Sequence, residues 1–133
     1  MQKIVIDTNI VISAFISPNG LPAKIIEFIV LNEEMKICYN VDILDEYEEV
    51  LSREKFDKYN FDPKEKEKFI NKIIEIGILV DPRASDMPIP DESDRIFYDT
   101  AKESGAILIT NNMKHYPTEN FIMTPATFIQ FIK

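Results

Sequence analysis

Residues 3–9 read Lys-Ile-Val-Ile-Asp-Thr-Asn, a short run of apolar side chains that ends in three consecutive polar ones. A continuous run of apolar, mostly β-branched residues is typical of a strand that is buried on both faces of a parallel sheet. Asp7 at the end of that strand must be solvated, cap a helix or bind a ligand, because burying an unpaired carboxylate is costly. The stretch therefore predicts an α/β fold with a polar site at the carboxyl end of its first strand.

The same kind of apolar run recurs along the chain, and the runs are separated by segments with helical periodicity. We predict strands at Lys3–Ile6, Met35–Tyr39, Ile78–Val80, Ala106–Thr110 and Phe121–Met123. We predict helices at Asn9–Ile16, Pro22–Leu31, Val41–Leu51, Pro63–Ile76, Glu92–Glu103 and Pro125–Ile132. The proline-rich segment Asp81–Asp91 is expected to be an irregular, exposed connection. This alternation indicates an α/β fold with a central parallel sheet of about five strands.

Length and composition are those of one soluble globular domain, and we expect residues 1–133 to form it. Cys38 is the only cysteine, so no internal disulfide can form and a reducing compartment is expected. No stretch approaches the roughly 20 apolar residues that span a bilayer, and the N-terminal residues lack the pattern of a signal peptide. These features predict a cytoplasmic protein that does not associate with a membrane.

The charge of the chain bears on which partners it binds. The formal net charge of −8 disfavours broad binding to nucleic acid phosphates. Seven of the 15 basic residues nevertheless lie between Arg53 and Lys72, where five acidic residues are interspersed. We interpret this segment as a solvated helix pair with exposed ion pairs, and a local phosphate-facing patch is the alternative.

Polar side chains gather where the predicted strands end. Asp7, Thr8 and Asn9 follow the first strand, the segment Thr110-Asn111-Asn112 follows the fourth, and Asp91 and Asp94 open the helix before the fourth strand. Parallel α/β sheets bind ligands just beyond the carboxyl ends of their strands. Mg²⁺ and Mn²⁺ prefer oxygen ligands such as these, so the sequence predicts a divalent-metal site at this edge.

Several of these acidic residues have more than one interpretation. Asp7 and Asp91 both occupy positions that suit a helix N-cap. In the helix over residues 41–51, Glu46 and Glu48 flank the apolar face, and helical phase does not choose between them. Asp99 lies well round its helix from Asp94 and is left outside the site. His115, the only histidine, is typical of a surface residue, and its position after Asn112 keeps a substrate contact open.

Taken in order, these segments resemble PIN-domain ribonucleases, most closely the small prokaryotic members described as toxin components of toxin–antitoxin pairs. The resemblance rests on residues 4–9 (IVIDTN), 43–51 (ILDEYEEVL), 94–101 (DRIFYDTA), 106–110 (AILIT) and 124–128 (TPATF). It implies a three-layer α/β/α fold and Mg²⁺- or Mn²⁺-dependent endonucleolytic cleavage of RNA. It also implies that an antitoxin protein is a partner and that homodimerisation is common.

The resemblance assigns the catalytic and metal-binding roles to Asp7, Glu46 and Asp94, and in this way it selects Glu46 over Glu48. The auxiliary residues that orient substrate or water are expected to be Thr8, Asn9, Asp91, Thr110, Asn112 and His115. Asn112 stands where many family members carry a fourth acid, and His115 stands at a later aspartate position. A neutral amide contributes less to cation binding than a carboxylate, so we expect one metal ion rather than two.

Two other functions remain open at this stage. The first is a PIN-like binding module that has lost its chemistry through the substitutions at Asn112 and His115. The second is a phospho-acceptor signalling domain, since such domains also place acids at the strand ends of a five-stranded sheet. The second is disfavoured because the acids do not cluster on the first strand and no lysine ends a strand in the C-terminal half.

Overall fold

The sheet is parallel throughout and has its first strand at the centre. A computed structural model describes residues 1–132, and its strands are β1 Gln2–Ile6, β2 Met35–Tyr39, β3 Ile78–Leu79, β4 Ile107–Ile109 and β5 Ile122–Met123. Their order across the sheet is β3-β2-β1-β4-β5. This order differs from the 2-1-3-4-5 order of flavodoxin-like receiver domains, which argues against the phospho-acceptor hypothesis.

Helices cover both faces of this sheet. They are α1 Thr8–Ile16, α2 Leu21–Leu31, α3 Val41–Leu51, α4 Pro63–Ile76, α5 Arg95–Ser104 and α6 Pro125–Ile132. Successive strand residues point to opposite faces, and Ile4, Val5 and Ile6 of β1 are each no more than 1% exposed, so both faces of β1 are packed. The predicted three-layer α/β/α fold with five parallel strands is therefore confirmed. Cys38 lies in the core, as expected.

The structure differs from the predicted elements at several of their ends and in three helices that were missed. Three short 3₁₀ helices, Glu54–Tyr59, Glu92–Asp94 and Met113–His115, were not predicted. The helix predicted from Glu92 begins as an α-helix only at Arg95, because the preceding residues form one of these 3₁₀ turns. Thr110 lies beyond the end of β4 rather than within it. Short 3₁₀ turns at helix ends leave little trace in hydrophobic periodicity.

The proline-rich connection before α5 is irregular, as predicted, but it is fixed to that helix by a buried polar network. Asp99 of α5 is buried and accepts hydrogen bonds from the backbone N–H and the hydroxyl of Ser85. Arg95 donates to the carbonyl oxygen of Ser85 at 2.8 Å and forms a two-point ion pair with Glu92. Asp99 therefore binds the proline-rich connection and does not belong to the site at the strand ends. The sequence analysis had likewise left Asp99 outside that site.

One further feature concerns membranes. Within residues 1–132 no single helix is long and apolar enough to cross a bilayer. Helices α1 and α2 have that length and apolar character only when they are taken together, and the pair is bent by 109°.

Gly77 ends α4 at a point where the helix closely approaches the sheet. Its N–H donates to the carbonyl oxygen of Ile73 at 2.8 Å. A Cβ atom at this position would lie 2.5 Å from that oxygen and 2.7 Å from the carbonyl oxygen of Ile37 in β2. Backbone oxygens cannot rotate away as a side chain can, so α4 packs this closely on β2 only with glycine here.

We predict that Gly77→Ala lowers the free energy of unfolding by about 3 kcal/mol, because the added methyl group overpacks two fixed carbonyl oxygens. Gly105→Ala is the matched control. It imposes a left-handed conformation (φ 72°) on alanine but meets no atom within 4 Å, and it should cost about 1 kcal/mol. Urea unfolding followed by circular dichroism measures both values. A loss for Gly77→Ala no larger than that for Gly105→Ala would contradict the proposed close contact.

Candidate active site

The carboxyl ends of the two central strands lie side by side and bring distant polar residues together. Ile6 of β1 pairs with Ile109 of β4, and the N–H of Asp7 donates to the carbonyl oxygen of Ile109 at 3.0 Å. Asp7 and Thr110, which follow these paired residues, are consequently neighbours. Both are buried, with Asp7 only 3% exposed. The strand register therefore places Asp7 and Thr110 side by side at the edge where the sequence pattern predicted a polar site.

The carboxylate of Asp7 is held by donors that all bond to one of its oxygens. Its Oδ2 accepts hydrogen bonds from Thr110 Oγ1 at 2.7 Å, Tyr116 Oη at 2.9 Å and Asn9 Nδ2 at 3.1 Å. Asp7 precedes α1, but its side chain makes no capping hydrogen bond to that helix. The capping interpretation of the Asp7 side chain is therefore wrong. Burial raises the pKa of Asp7, and the hydrogen bonds from Thr110 and Tyr116 lower it in part.

Tyr116 is a site residue that sequence reasoning missed. It is 6% exposed, and its hydroxyl reaches Asp7 across 109 positions of the chain. The available signal was its place directly after His115 in the segment that follows the fourth strand. An isolated tyrosine in a loop does not reveal that its ring is buried, so that signal was too weak to single it out.

Helix α3 places Glu46, and not Glu48, near Asp7. Tyr47 is buried, and its hydroxyl donates to the carbonyl oxygen of Ile6, which ties this turn of the helix to the end of β1. Glu46 is half-buried, and its pKa is raised by burial first and then by the negative charges of Glu49, Asp7 and Asp91. Glu48 is exposed and lines a surface depression with residues of α4. The choice that helical phase left open is thus decided by tertiary placement in favour of Glu46.

Asp94 is the third carboxyl group of the site whose pKa is raised. Its side chain is 14% exposed, and its Oδ2 is buried without a hydrogen-bond donor, 3.2 Å from Nδ1 of His115. Burial, followed by the negative charges of Asp7 and Asp91, raises the pKa of Asp94 to about 6. Asp91 is exposed and caps the 3₁₀ helix Glu92–Asp94, since its Oδ1 accepts from the N–H and the hydroxyl of Ser93. The capping interpretation of Asp91 is therefore confirmed.

The remaining predicted residues occupy the rim and the base of this site. The Oδ1 of Asn9 accepts from the N–H of Asn111 at 3.0 Å, which joins α1 to the segment after β4. The N–H of Asn112 donates to Thr110 Oγ1 at 3.0 Å, whereas the Asn112 side chain is exposed. The hydroxyl of Thr8 is buried without a hydrogen-bond partner. Of the predicted set, Asn9 and Thr110 are the ones that contact Asp7 directly through their side chains.

The oxygen atoms of this site are suitable ligands for a divalent cation that binds few protein side chains. Among residues 1–132, no three His, Cys, Asp or Glu side chains converge closely enough to enclose an ion. The acids nevertheless lie close enough that Asp7 raises the pKa of both Glu46 and Asp94. Mg²⁺ sites commonly use one or two carboxylates and complete their coordination with water and substrate phosphate. The buried Oδ2 of Asp94 has no hydrogen-bond partner apart from the neighbouring His115, so it is an oxygen that such an ion could bind.

Comparisons with known proteins agree with this fold. A family model described as PIN domain matches residues 3–114. An uncharacterised protein of Methanocaldococcus jannaschii is 35% identical over 111 residues, which are 83% of this chain and 70% of that protein. A chain in the crystal structure of VapBC2 from Rickettsia felis, bound to a DNA fragment from their promoter, superimposes with a TM-score of 0.60 at 18% identity. That match covers 92% of this chain and 97% of the other.

The raised pKa of Asp94 predicts a pH-dependent cost to stability. A carboxyl group whose folded-state pKa, about 6, exceeds its unfolded value of 3.8 is more easily protonated when folded. Its contribution to stability is present at low pH and is lost as the pH rises from about 4 through 6. We therefore expect Asp94→Asn to raise the free energy of unfolding near pH 8 by about 1–3 kcal/mol, and to have no effect below about pH 4.

Urea unfolding in EDTA, measured from low pH to about pH 8, tests this expectation. Glu48→Gln is the matched control, because it removes one negative charge from an exposed position and should change stability by less than about 0.5 kcal/mol. Parallel pH profiles for the wild type and Asp94→Asn would contradict the raised pKa.

Proposed function

This chain belongs to the PIN domain family, and we propose that it is a divalent-metal-dependent endoribonuclease. In this proposal Asp7, Glu46 and Asp94 bind Mg²⁺ or Mn²⁺, and a single ion is held. The observation that carries the proposal is the Asp7 carboxylate, buried at a strand end, oriented by hydrogen bonds and electrostatically coupled to Glu46 and Asp94. Strongly perturbed carboxyl groups gathered in one place are typical of catalytic sites.

Hydrolysis of a phosphodiester adds water and breaks one P–O bond, so the attacking water must lose a proton. A bound divalent cation supplies positive charge that polarises the phosphodiester and makes water more acidic. The raised pKa values of Asp7, Glu46 and Asp94 reflect burial and mutual repulsion of their negative charges, which a bound divalent cation would relieve. Thr8 directly follows Asp7 in the chain, and the N–H of Asn112 donates to the Thr110 hydroxyl that contacts Asp7. We propose that Thr8 and Asn112 orient water or substrate.

The surface around the segment from Arg53 to Lys72 supports an RNA-binding role despite the acidic net charge. Ion pairs such as Lys68 with Glu65 neutralise part of this segment, as the sequence predicted. Lys55 and Lys58, however, lie over the rings of Phe56 and Tyr59, with 5.1 and 5.2 Å between each ammonium group and the ring centroid. Aromatic side chains interleaved with lysines are typical of surfaces that bind single-stranded nucleic acid.

The fold shared with one chain of the Rickettsia felis VapBC2 complex suggests the biological setting. We infer that this chain is the toxin component of a toxin–antitoxin pair, that an antitoxin protein occludes the acidic site, and that the chain forms a homodimer. We further infer one PIN domain over residues 1–133, located in the cytoplasm. These inferences rest on likeness of fold and on the sequence resemblance.

The competing function is association without cleavage. It is favoured by the exposed amide of Asn112, which stands where many family members carry an acid, and by the lack of a preformed three-ligand cage among residues 1–132. Such a module would retain the fold and bind RNA or a protein, but would not hydrolyse a phosphodiester.

We predict that the purified wild type cleaves single-stranded RNA in Mn²⁺ and that EDTA abolishes the cleavage. Asp7→Asn keeps the shape of the side chain but removes its charge, and it should reduce the rate by at least ~100-fold. Glu48→Gln, on the exposed face of α3, should retain wild-type activity. Gel analysis of end-labelled RNA measures all three proteins. Equal cleavage by the wild type and Asp7→Asn would indicate a contaminating nuclease, and no cleavage by any protein would favour the binding module.

A further inference from the structure

The atoms Asp94 Oδ2 and His115 Nδ1 face each other at the acidic site. They are 3.2 Å apart, which is within ion-pair distance, and His115 lowers the pKa of Asp94 in part; apart from His115, the buried Asp94 oxygen has no hydrogen-bond partner. A neutral imidazole that presents the lone pair of Nδ1 would place two acceptor atoms opposite each other. Such a pair is repulsive unless a proton or a cation lies between the two atoms.

We propose that His115 Nδ1 and Asp94 Oδ2 are adjacent ligands of the divalent cation. The site then takes a first-row transition-metal dication such as Mn²⁺ in preference to Mg²⁺. This inference rests on the proposed metal-dependent function and adds to it a nitrogen ligand. His115 was expected from the sequence only as an auxiliary, substrate-orienting residue.

The separation of the two atoms fits a shared ion. Neighbouring ligands of an octahedral cation, each at about 2.1 Å, lie about 3.0 Å apart along an edge of the octahedron. Neighbouring ligands of a tetrahedral cation, each at about 2.0 Å, lie about 3.3 Å apart. The observed 3.2 Å falls between these values. The pair therefore needs little rearrangement to bind one ion from two sides.

Local structure holds both side chains in place before any ion binds. His115 ends the 3₁₀ helix Met113–His115, and its N–H donates to the carbonyl oxygen of Asn112 at 2.9 Å. The next residue, Tyr116, is buried and donates to Asp7, so the backbone on that side is also anchored. Asp94 ends the 3₁₀ helix that Asp91 caps. Two short 3₁₀ turns, one of them capped by Asp91, thus bring the imidazole and the carboxylate together.

The ligand chemistry determines which cation is preferred. Mg²⁺ is a hard cation that favours oxygen ligands and retains its waters, whereas imidazole nitrogen binds first-row transition metals more readily. With His115 in the ligand set, replacing one oxygen by nitrogen lowers the relative affinity for Mg²⁺. Among residues 1–132 no three His, Cys, Asp or Glu side chains are preassembled around an ion, so Asp7 and Glu46 of the proposed site would approach the ion that His115 and Asp94 hold. Water and substrate phosphate complete the coordination.

The test measures cation binding directly and does not depend on catalysis. EDTA-treated protein is titrated with Mn²⁺, and the free ion is quantified by electron paramagnetic resonance; competition with Mg²⁺ gives the relative affinities. Pulsed paramagnetic resonance of bound Mn²⁺ should show hyperfine coupling to ¹⁴N. His115 is the only histidine, so an imidazole coupling can arise from no other side chain of this chain.

We expect His115→Gln to abolish the ¹⁴N coupling, to weaken Mn²⁺ binding by about tenfold or more and to leave Mg²⁺ binding nearly unchanged. Lys114→Gln changes the exposed neighbour in the same 3₁₀ helix and should leave both affinities and the coupling intact. Circular dichroism and urea unfolding establish that each variant folds. The side chain of His115 is 47% exposed, so its replacement should not disturb the core.

The remaining outcomes separate this inference from the proposed function. Mn²⁺ binding by the wild type without ¹⁴N coupling, or equal affinities for the wild type and His115→Gln, would overturn the ligand role of His115 and leave the oxygen-bound metal site standing. In that case the contact is an ion pair between imidazolium and carboxylate. Failure of the wild type to bind either cation would overturn the proposed metal dependence, and the inference with it.

Discussion

The structure depends on how the carboxylate of Asp7 is kept charged and oriented inside the protein. Moving an unpaired carboxylate out of water costs several kcal/mol or shifts its pKa until it is neutral. Here the donors on Asn9, Thr110 and Tyr116 converge on one oxygen and offset part of that cost. Because they come from α1, the end of β4 and the segment after the 3₁₀ helix Met113–His115, the charge fixes the relative positions of these elements. The side chain of Asp7 thus connects these elements and is also a candidate functional group.

The parallel sheet explains why these groups gather where they do. In the order β3-β2-β1-β4-β5, the central strand β1 is paired on both sides, and its carboxyl end lies beside that of β4. Asp7 and Thr110 follow these two strands directly, so the backbone hydrogen bonds of the sheet set their separation. Helix α3 brings Glu46 to the same edge because Tyr47 is bonded to the end of β1. The same strand pairing and helix packing thus form the core and place the acidic residues.

The acidic residues of the site repel one another, which lowers the stability of the fold. Interactions outside the site hold in place the segments that carry these residues. Asp91 raises the pKa of both Glu46 and Asp94, so repulsion extends across the whole edge. The network of Ser85, Asp99 and Arg95 fixes the proline-rich connection to α5 and limits where Asp91 and Asp94 can move. In the proposed metal-dependent function, a bound cation would relieve this repulsion between negative charges. Asn112 and His115 stand where the family resemblance places acidic residues, and the PIN fold is retained.

The sequence by itself determined the α/β class, the parallel sheet and the position of Asp7 at a strand end, because hydrophobic periodicity and strand-end polarity are local properties. It also identified Asp91 as a cap and narrowed the acids of α3 to Glu46 and Glu48 through helical phase. The family resemblance chose Glu46 of the two, but only the tertiary structure gave a physical reason, because it places Glu46 close enough to Asp7 for their charges to interact. It also revealed Tyr116 as a donor to Asp7 and joined Ser85 to Asp99. Each of these depends on contacts between residues far apart in the chain, such as the 109 positions that separate Asp7 from Tyr116. Such contacts follow from strand register and helix packing, which no short stretch of sequence encodes.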